Sequence, residues 1–447
     1  IKIIGDHTPM YAQAYFDYDS KKSGGVTISH LRFGNTPIKS TYLVEKADFV
    51  ACHSPSYVTK YDMVQDLKDG GTFLLNSEWT PENIAEHLPG QVKRYMAEHN
   101  INFYMIDGIK IGREIGLGKR INTVLQSAFF KLAIKYMKEK ALASYAKKGD
   151  DIVQMNYKAI DAGAEALVKV EIPEDWKNCP DEDFSKVATV GEQKVLDYVN
   201  NIQKKVNACK GDSLTVADFK DYADGEMPQG TAAYEKRGIA VDVPVWKHDN
   251  CIQCNQCALV CPHAVIRPVV MTEEEIKNAP EGMQYTSMTG MPGYYYAIVV
   301  SVDDCTGCNL CSTQCPGNKK SEVLTMSSYQ DNKDKQAFFD YAVTLPEKEE
   351  IYEKFAKTTV KGSQFAHPYL EFSGACAGCG ETPYAKLITQ LYGDKMIIAN
   401  ATGCTSIWAS STPSTPYNTD ANGRGPAWAN SLFEDNAEFG YGMKLAQ

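Results

Sequence analysis

The chain has 447 residues, enough for roughly three domains with separate cores, so it does not read as a single module. With 46 basic against 56 acidic residues, a net charge of −10 and a pI near 5.4, it has no electrostatic footprint for DNA or RNA, whose binding needs a clustered basic surface. Its mean hydropathy is −0.35 and its most apolar stretches, such as YYYAIVVSV at 294 to 302, are strand-sized and too short to span a membrane, so a soluble protein is expected.

The opening residues, IKIIGDHTPM, show neither an initiator Met nor a signal-peptide pattern, and the chain reads as a piece of a longer one. Fourteen cysteines in a large chain without secretory features argue for thiolate ligands in a reducing compartment, the cytoplasm. Residues 1 to 180 alternate β-rich runs (VTISHLRF at 26 to 33, DFVAC at 48 to 52, TFLLNSEW at 72 to 79, NFYMID at 102 to 107) with helical patterns at 81 to 98 and 121 to 140. That alternation predicts a doubly wound, parallel-sheet α/β domain. Ligands of such sheets sit beyond the carboxyl ends of the strands, which marks the loops SKKSGG (20 to 25) and DGIKIGREIGLGKRIN (107 to 122). Either could hold phosphates through Gly N–H groups and nearby Lys or Arg, with ordinary turns and solvated charges as the plainer alternative.

Residues 181 to 240 read as a small helical and linker region ending in GEMPQGTAAYEKRG, and 241 to 325 as a cysteine-rich module. Residues 326 to 370 form a polar connecting segment without a clear site, and 371 to 447 begin another α/β unit. There Thr382 is expected to cap a helix with Pro383 at its first position, Gly393 to end it, and MIIAN (396 to 400) to follow as a strand.

In the cysteine-rich module, Cys251, Cys254, Cys257 and Cys261 before Pro262 spell C-x2-C-x2-C-x3-C-P, and Cys305, Cys308, Cys311 and Cys315 before Pro316 spell it again. This is the bacterial-type [4Fe–4S] run, in which three closely spaced thiolates grip one cluster while the fourth serves the other. The ligand sets are therefore expected to cross: Cys251, Cys254 and Cys257 with Cys315, and Cys305, Cys308 and Cys311 with Cys261. Paired zinc sites are the alternative, but zinc ribbons set two CxxC pairs well apart and do not need three thiolates at a strict period of three. The run YYYAIVV is expected to extend the module's sheet.

Cys52, Cys179 and Cys209 stand alone and read as small buried hydrophobes. Cys376 and Cys379 differ, because they occupy the Gly/Ala loop GACAGCG, and Cys404 lies in NATGCTS just past a predicted strand. These three thiolates suggest a third cluster short of one visible ligand, with a free redox CxxC as the alternative.

FSGACAGCGETPY (372 to 384), NATGCTSIW (400 to 408), GRGPAWANSLFEDNAEFG (423 to 440), SKKSGGVTISHLRFG and the doubled ferredoxin motif together resemble the pyruvate:ferredoxin (flavodoxin) oxidoreductase family. The resemblance covers the family's coenzyme A-binding domain, its two-cluster ferredoxin domain and the start of its thiamine diphosphate domain. It implies oxidative decarboxylation of pyruvate with coenzyme A to acetyl-CoA and CO2, by a homodimer whose three [4Fe–4S] clusters pass electrons singly to ferredoxin or flavodoxin.

The resemblance also implies that Cys376, Cys379 and Cys404 are three of four ligands of a proximal cluster, that Glu381 contacts thiamine diphosphate, and that the backbone at Cys404 lies against that cofactor. Lys21, Lys22 and Asn122 are the implied coenzyme A contacts. The family's fourth proximal ligand, its Mg2+-diphosphate motif and the Glu that activates thiamine have no counterpart in this sequence, so no catalytic side chain is assigned. Two other readings stay open: an oxidoreductase for another 2-oxoacid, and a non-catalytic iron–sulfur electron-transfer subunit, which would have no use for GACAGCGET.

Overall fold

The computed structural model describes residues 1–40, 42–118, 120–131, 149–182 and 187–447. The chain divides into two compact units, one of Ile1–Tyr18 and Thr27–Lys186, the other of Asp19–Val26 and Val187–Gln447. Among the described residues no helix is long and apolar enough to cross a membrane.

In the first unit, β1 (Tyr11–Tyr18) and β2 (Thr27–Gly34) form an antiparallel pair. A separate sheet takes β3 (Ala47–Cys52), β4 (Leu67–Asn76), β5 (Asn102–Ile106) and β6 (Val168–Val170) in that order, the first three parallel and β6 antiparallel at the edge. β4 is covered on both faces at Phe73, Leu74 and Leu75, its three consecutive apolar residues. Phe73 and Leu75 enter a core with Val92, Met96 and Trp176, while Leu74 meets Val124, Leu125 and Ala159 on the other side.

Two expectations are corrected here. VTISHLRF pairs with β1 rather than joining the parallel sheet; with Ser29, His30 and Arg32 alternating among its apolar residues, it lacks the continuous apolar character of a strand buried on both faces. Nor is the sheet doubly wound, because its strands follow chain order without the reversal that creates two wound halves. Of the helical pattern at 121 to 140, Asn122–Phe129 is a helix, and residues 132 to 140 lie outside the described residues.

In the second unit, β7 (Asp242–Trp246), β8 (Ile266–Met271), β9 (Thr286–Ser287), β10 (Tyr295–Val300) and β11 (Leu324–Ser328) make two antiparallel sheets, β8-β10-β9 and β11-β7. YYYAIVV thus supplies the central strand of one of them. Their shared core holds Val243, Met271, Tyr296 and Leu324 together with Phe339 and Ile351. The last two come from the helices Gln336–Ala342 and Glu350–Lys354, so the stretch 326 to 370 is part of this core and not a connector.

β12 (Ile397–Ala401) and β13 (Ala427–Ser431) are parallel, and β12 follows the helix Thr382–Tyr392 as the sequence suggested. The cap is Glu381, not Thr382, because Thr382 is already the first residue of the helix.

GEMPQGTAAYEKRG is not a linker either. Thr231 is fully buried and Arg237 nearly so. Arg237 Nε donates to Glu235 at 2.9 Å, Nη1 to the Ser23 carbonyl at 2.7 Å, and Nη2 to the carbonyls of Phe372 and Ser373. The Lys21 ammonium meets the same Glu235 at 2.9 Å and Ser414 Oγ donates to it at 2.7 Å. A buried carboxylate is tolerable only when paired and hydrogen-bonded, and this network draws residues 19–26 into the second unit.

Removing Arg237 leaves Glu235 short of a cation and three carbonyls short of a donor, so Arg237→Met should lower stability by about 3 kcal/mol, read by urea unfolding. Burial raises the Glu235 pKa, but Arg237 and Lys21 more than offset it, leaving it below its ordinary value of 4.5. A depressed carboxylate contributes stability that is present above the unfolded pKa and lost as pH falls through the folded one. Acid should therefore weaken the wild-type protein more than Glu235→Gln, and equal losses below pH 4.5 would contradict the assignment.

Candidate functional site

Cys251, Cys254 and Cys257 line a cavity with Cys315 from the second motif, among Trp246, Tyr296 and Leu324. Cys305, Cys308 and Cys311 line another with Cys261 from the first, beside His263, Val265 and Met326. The cysteines come together in crossed sets of four.

The local fold follows from the residues between them. Gln253 (φ 53°) and Asn255 (φ 60°) in one loop, and Gly307 (φ 62°) and Asn309 (φ 67°) in the other, turn the backbone through the left-handed region that Gly and Asn adopt most readily. Each loop runs into one helical turn, Gln256–Leu259 or Leu310–Thr313, that presents the third cysteine. Asn255 is fixed by the Tyr296 hydroxyl, which donates to its Oδ1 at 2.7 Å, and by the Lys361 carbonyl, which accepts from its Nδ2 at 2.8 Å. The Gly307 N–H points at Cys305 Sγ, 3.3 Å away.

The electrostatics call for metal. Burial pushes the Cys257 and Cys311 thiols well above their ordinary pKa, and the neighbouring cysteines of each set push the same way. Cys251 is raised too, by burial, against the Gln253 amide and the Trp246 indole. Four thiolates in an apolar cavity repel one another unless cations share them. The crossed sets of four sulfurs, each built on a C-x2-C-x2-C-x3-C-P run, fit [4Fe–4S] groups.

The third CxxC forms a loop beside the second cavity. The Cys379 N–H donates to the Cys376 carbonyl at 3.1 Å, and the Glu381 N–H points at Cys379 Sγ at 3.4 Å. Trp408 ties both ends of this loop to the helix Cys404–Ala409: its Nε1 donates to Glu381 Oε2 at 3.2 Å and its carbonyl accepts from the Gly374 N–H at 3.4 Å. Cys404, exposed, stands one turn before Trp408 on that helix. Gly378 lies against the second cavity, where a Cβ would make ordinary contact with Cys308 Cβ at 3.7 Å and Leu310 Cδ1 at 3.9 Å.

Of the residues tied to coenzyme A, Lys21 is withdrawn: its ammonium is held by Glu235 and Asn207, which corrects the expectation that it is free for phosphates. Lys22 is exposed, its amide anchored to the Gly374 carbonyl at 2.8 Å, and Asn122 is exposed at the start of the helix Asn122–Phe129 in the other unit. Cys52 is buried, which raises its thiol to about 12. Cys179 is half-buried, and Cys209 is exposed in a left-handed turn at φ 59°, unlike the buried hydrophobe expected.

Two buried residues escaped the sequence reading. His263 Nδ1 lies 3.2 Å from the Ser373 carbonyl, and burial, with Arg237 nearby, pushes the ring down to about 4, so it is neutral. Its Nε2 has no partner among the described residues. Its position just after Cys261-Pro262 was the only available signal. Lys386 donates to the carbonyls of Ala258, Leu259 and Cys261, and burial draws its amine down to about 8. In TPYAKLITQLY it reads as an ordinary solvated cation.

Family models match in three places: Pyruvate ferredoxin/flavodoxin oxidoreductase over residues 1–166, a domain of unknown function over 186–240, and a 4Fe-4S dicluster domain over 250–319. The chain is 51% identical over its whole length to a pyruvate-flavodoxin oxidoreductase of Enterobacter agglomerans and 52% identical to a pyruvate:ferredoxin oxidoreductase of Moorella thermoacetica, spanning 38% of each. It is 47% identical over 99% of its length to a pyruvate dehydrogenase [NADP(+)] of Cryptosporidium parvum, spanning 24% of that protein. Residues 1–166 thus match the pyruvate ferredoxin/flavodoxin oxidoreductase model and 250–319 the 4Fe-4S dicluster model, and throughout its length the chain is similar to pyruvate-flavodoxin and pyruvate:ferredoxin oxidoreductases more than twice as long.

Proposed function

We propose that this chain is part of a cytoplasmic, homodimeric enzyme that oxidatively decarboxylates pyruvate with coenzyme A and delivers electrons to ferredoxin or flavodoxin. The observation that carries this reading is the packing of Gly378, between Cys376 and Cys379, against Cys308. A pure electron carrier needs the two four-cysteine cavities but not a further cysteine loop fitted against one of them.

When bound, thiamine diphosphate with Mg2+ supplies the electron sink for decarboxylation, and the three [4Fe–4S] clusters accept electrons one at a time. Cys251, Cys254, Cys257 and Cys315 hold one cluster; Cys305, Cys308, Cys311 and Cys261 hold the second. Cys376, Cys379 and Cys404 hold the third with one further ligand. Glu381 contacts thiamine diphosphate, its carboxylate oriented by the Trp408 indole. Because the Glu381 amide also points at Cys379 Sγ, cofactor contact and cluster ligand share one short piece of backbone. Lys22 contacts coenzyme A, and Lys21, committed to Glu235, fixes the segment from which Lys22 projects.

The intact protein should contain about twelve iron atoms per chain with as much acid-labile sulfide. About eight of each would remove the third cluster, and zinc in their place would overturn the reading.

The loop's two roles should separate in the intact enzyme. Glu381→Gln should weaken thiamine diphosphate binding, measured by calorimetric titration, with iron content unchanged. Cys379→Ser should lose one cluster's paramagnetic signal while thiamine diphosphate still binds. Unaltered cofactor affinity and turnover in the Glu381 variant would remove its assigned role.

A further inference from the structure

The helix Thr382–Tyr392 is seated the wrong way round for an amphipathic element. Tyr384, Ile388 and Tyr392 are 71%, 48% and 63% exposed, while Lys386 and Thr389 are buried. The Lys386 ammonium donates to the carbonyl oxygens of Ala258, of Leu259 at 3.2 Å and of Cys261 at 3.3 Å, at the carboxyl end of the helical turn Gln256–Leu259. Those three acceptors match its three N–H donors.

Among the described residues it forms no ion pair, and its ammonium meets only the three carbonyls, with Cys261, Arg267 and Cys257 as the ionisable groups that act on it. Arg267 is itself a cation and is paired with Glu371. A fully buried ammonium facing only carbonyl dipoles and another cation is strongly disfavoured. The remaining neighbours are one thiol from each crossed set, Cys257 from the first cavity and Cys261 from the second.

We propose that Lys386 is the built-in counter-charge of the two iron–sulfur sites and raises their reduction potentials. Cluster potentials respond to nearby charge, hydrogen bonding and burial, and a fixed positive charge in a low-dielectric setting stabilises each added electron. Contact with the Cys261 carbonyl makes the effect larger at the site that uses Cys261. The inference rests on the crossed cysteines holding [4Fe–4S] clusters.

Potentiometric titration followed by electron paramagnetic resonance, on the intact cluster-loaded protein at one pH, tests it in wild type, Lys386→Met and Lys386→Arg. The methionine variant should titrate at more negative potential at both sites, with the larger shift at the Cys261 site, and the arginine variant should stay near wild type. Wild-type potentials in the methionine variant would overturn the proposal. So would equal shifts in both variants, which would mean packing rather than charge. If the methionine variant fails to retain iron, Lys386→Gln, which still donates to carbonyls, takes its place with the same expected direction. A wild-type protein without iron at these cysteines would instead overturn the cluster reading itself.

Discussion

Four sulfurs sharing one apolar cavity is the constraint on which the second unit depends. Burial alone drives such thiols to their protonated form, and each ionised neighbour makes the next harder to ionise. The crossing of the motifs gives this a structural consequence. Cys261 belongs by sequence to the first loop and by position to the second cavity, and Cys315 does the reverse. Neither loop can complete its own set, so the halves must dock on each other before either site exists. The strand pairs β8–β10 and β7–β11 hold them in that arrangement, with Tyr296 and Leu324 serving both the core and the first cavity.

Around these cavities the fold repeatedly buries charge. Glu235 lies between Lys21 and Arg237, and Asp304, next to Cys305, accepts from Lys236 at 2.8 Å and Ser301 Oγ at 2.6 Å. Buried ion pairs are a weak source of stability compared with apolar packing of the same volume. They are directional, however, which hydrophobic burial is not. A network reaching from Ser23 through Arg237 to Phe372 and Ser373 fixes the backbone just before the third CxxC, where apolar packing alone would allow sliding.

The legible part of this protein was local. Cysteine ligands at fixed spacing, a central strand as apolar as β10 and the helix after GET are each set by a few neighbouring residues. The reading failed where a residue's partner lies far away in sequence. GEMPQGTAAYEKRG has a linker's composition, yet Arg237 finds acceptors at Ser23 and Phe372. Lys21 sits in a Gly-rich loop suited to phosphates, yet its partner is Glu235. The strand order of the first unit was hidden for the same reason: alternation predicts an α/β sheet but not the order in which its strands pair.

The small residues of GACAGCG have a fuller explanation than the sequence supplied. On composition they imply close approach by a bulky inorganic group. In the structure the protein itself approaches closely: a Cβ at Gly374 would lie 2.8 Å from Ser411 Oγ and 3.3 Å from Lys21 Cγ, and Gly378 (φ 76°) turns in the left-handed region against Cys308. The loop is squeezed between the 19–26 segment, the residues after the Cys404 helix and the second cavity. Crowding requires glycine at position 374 and the left-handed backbone favours it at 378, so Cys376 and Cys379 sit on a loop whose path beside Cys308 is set by its neighbours.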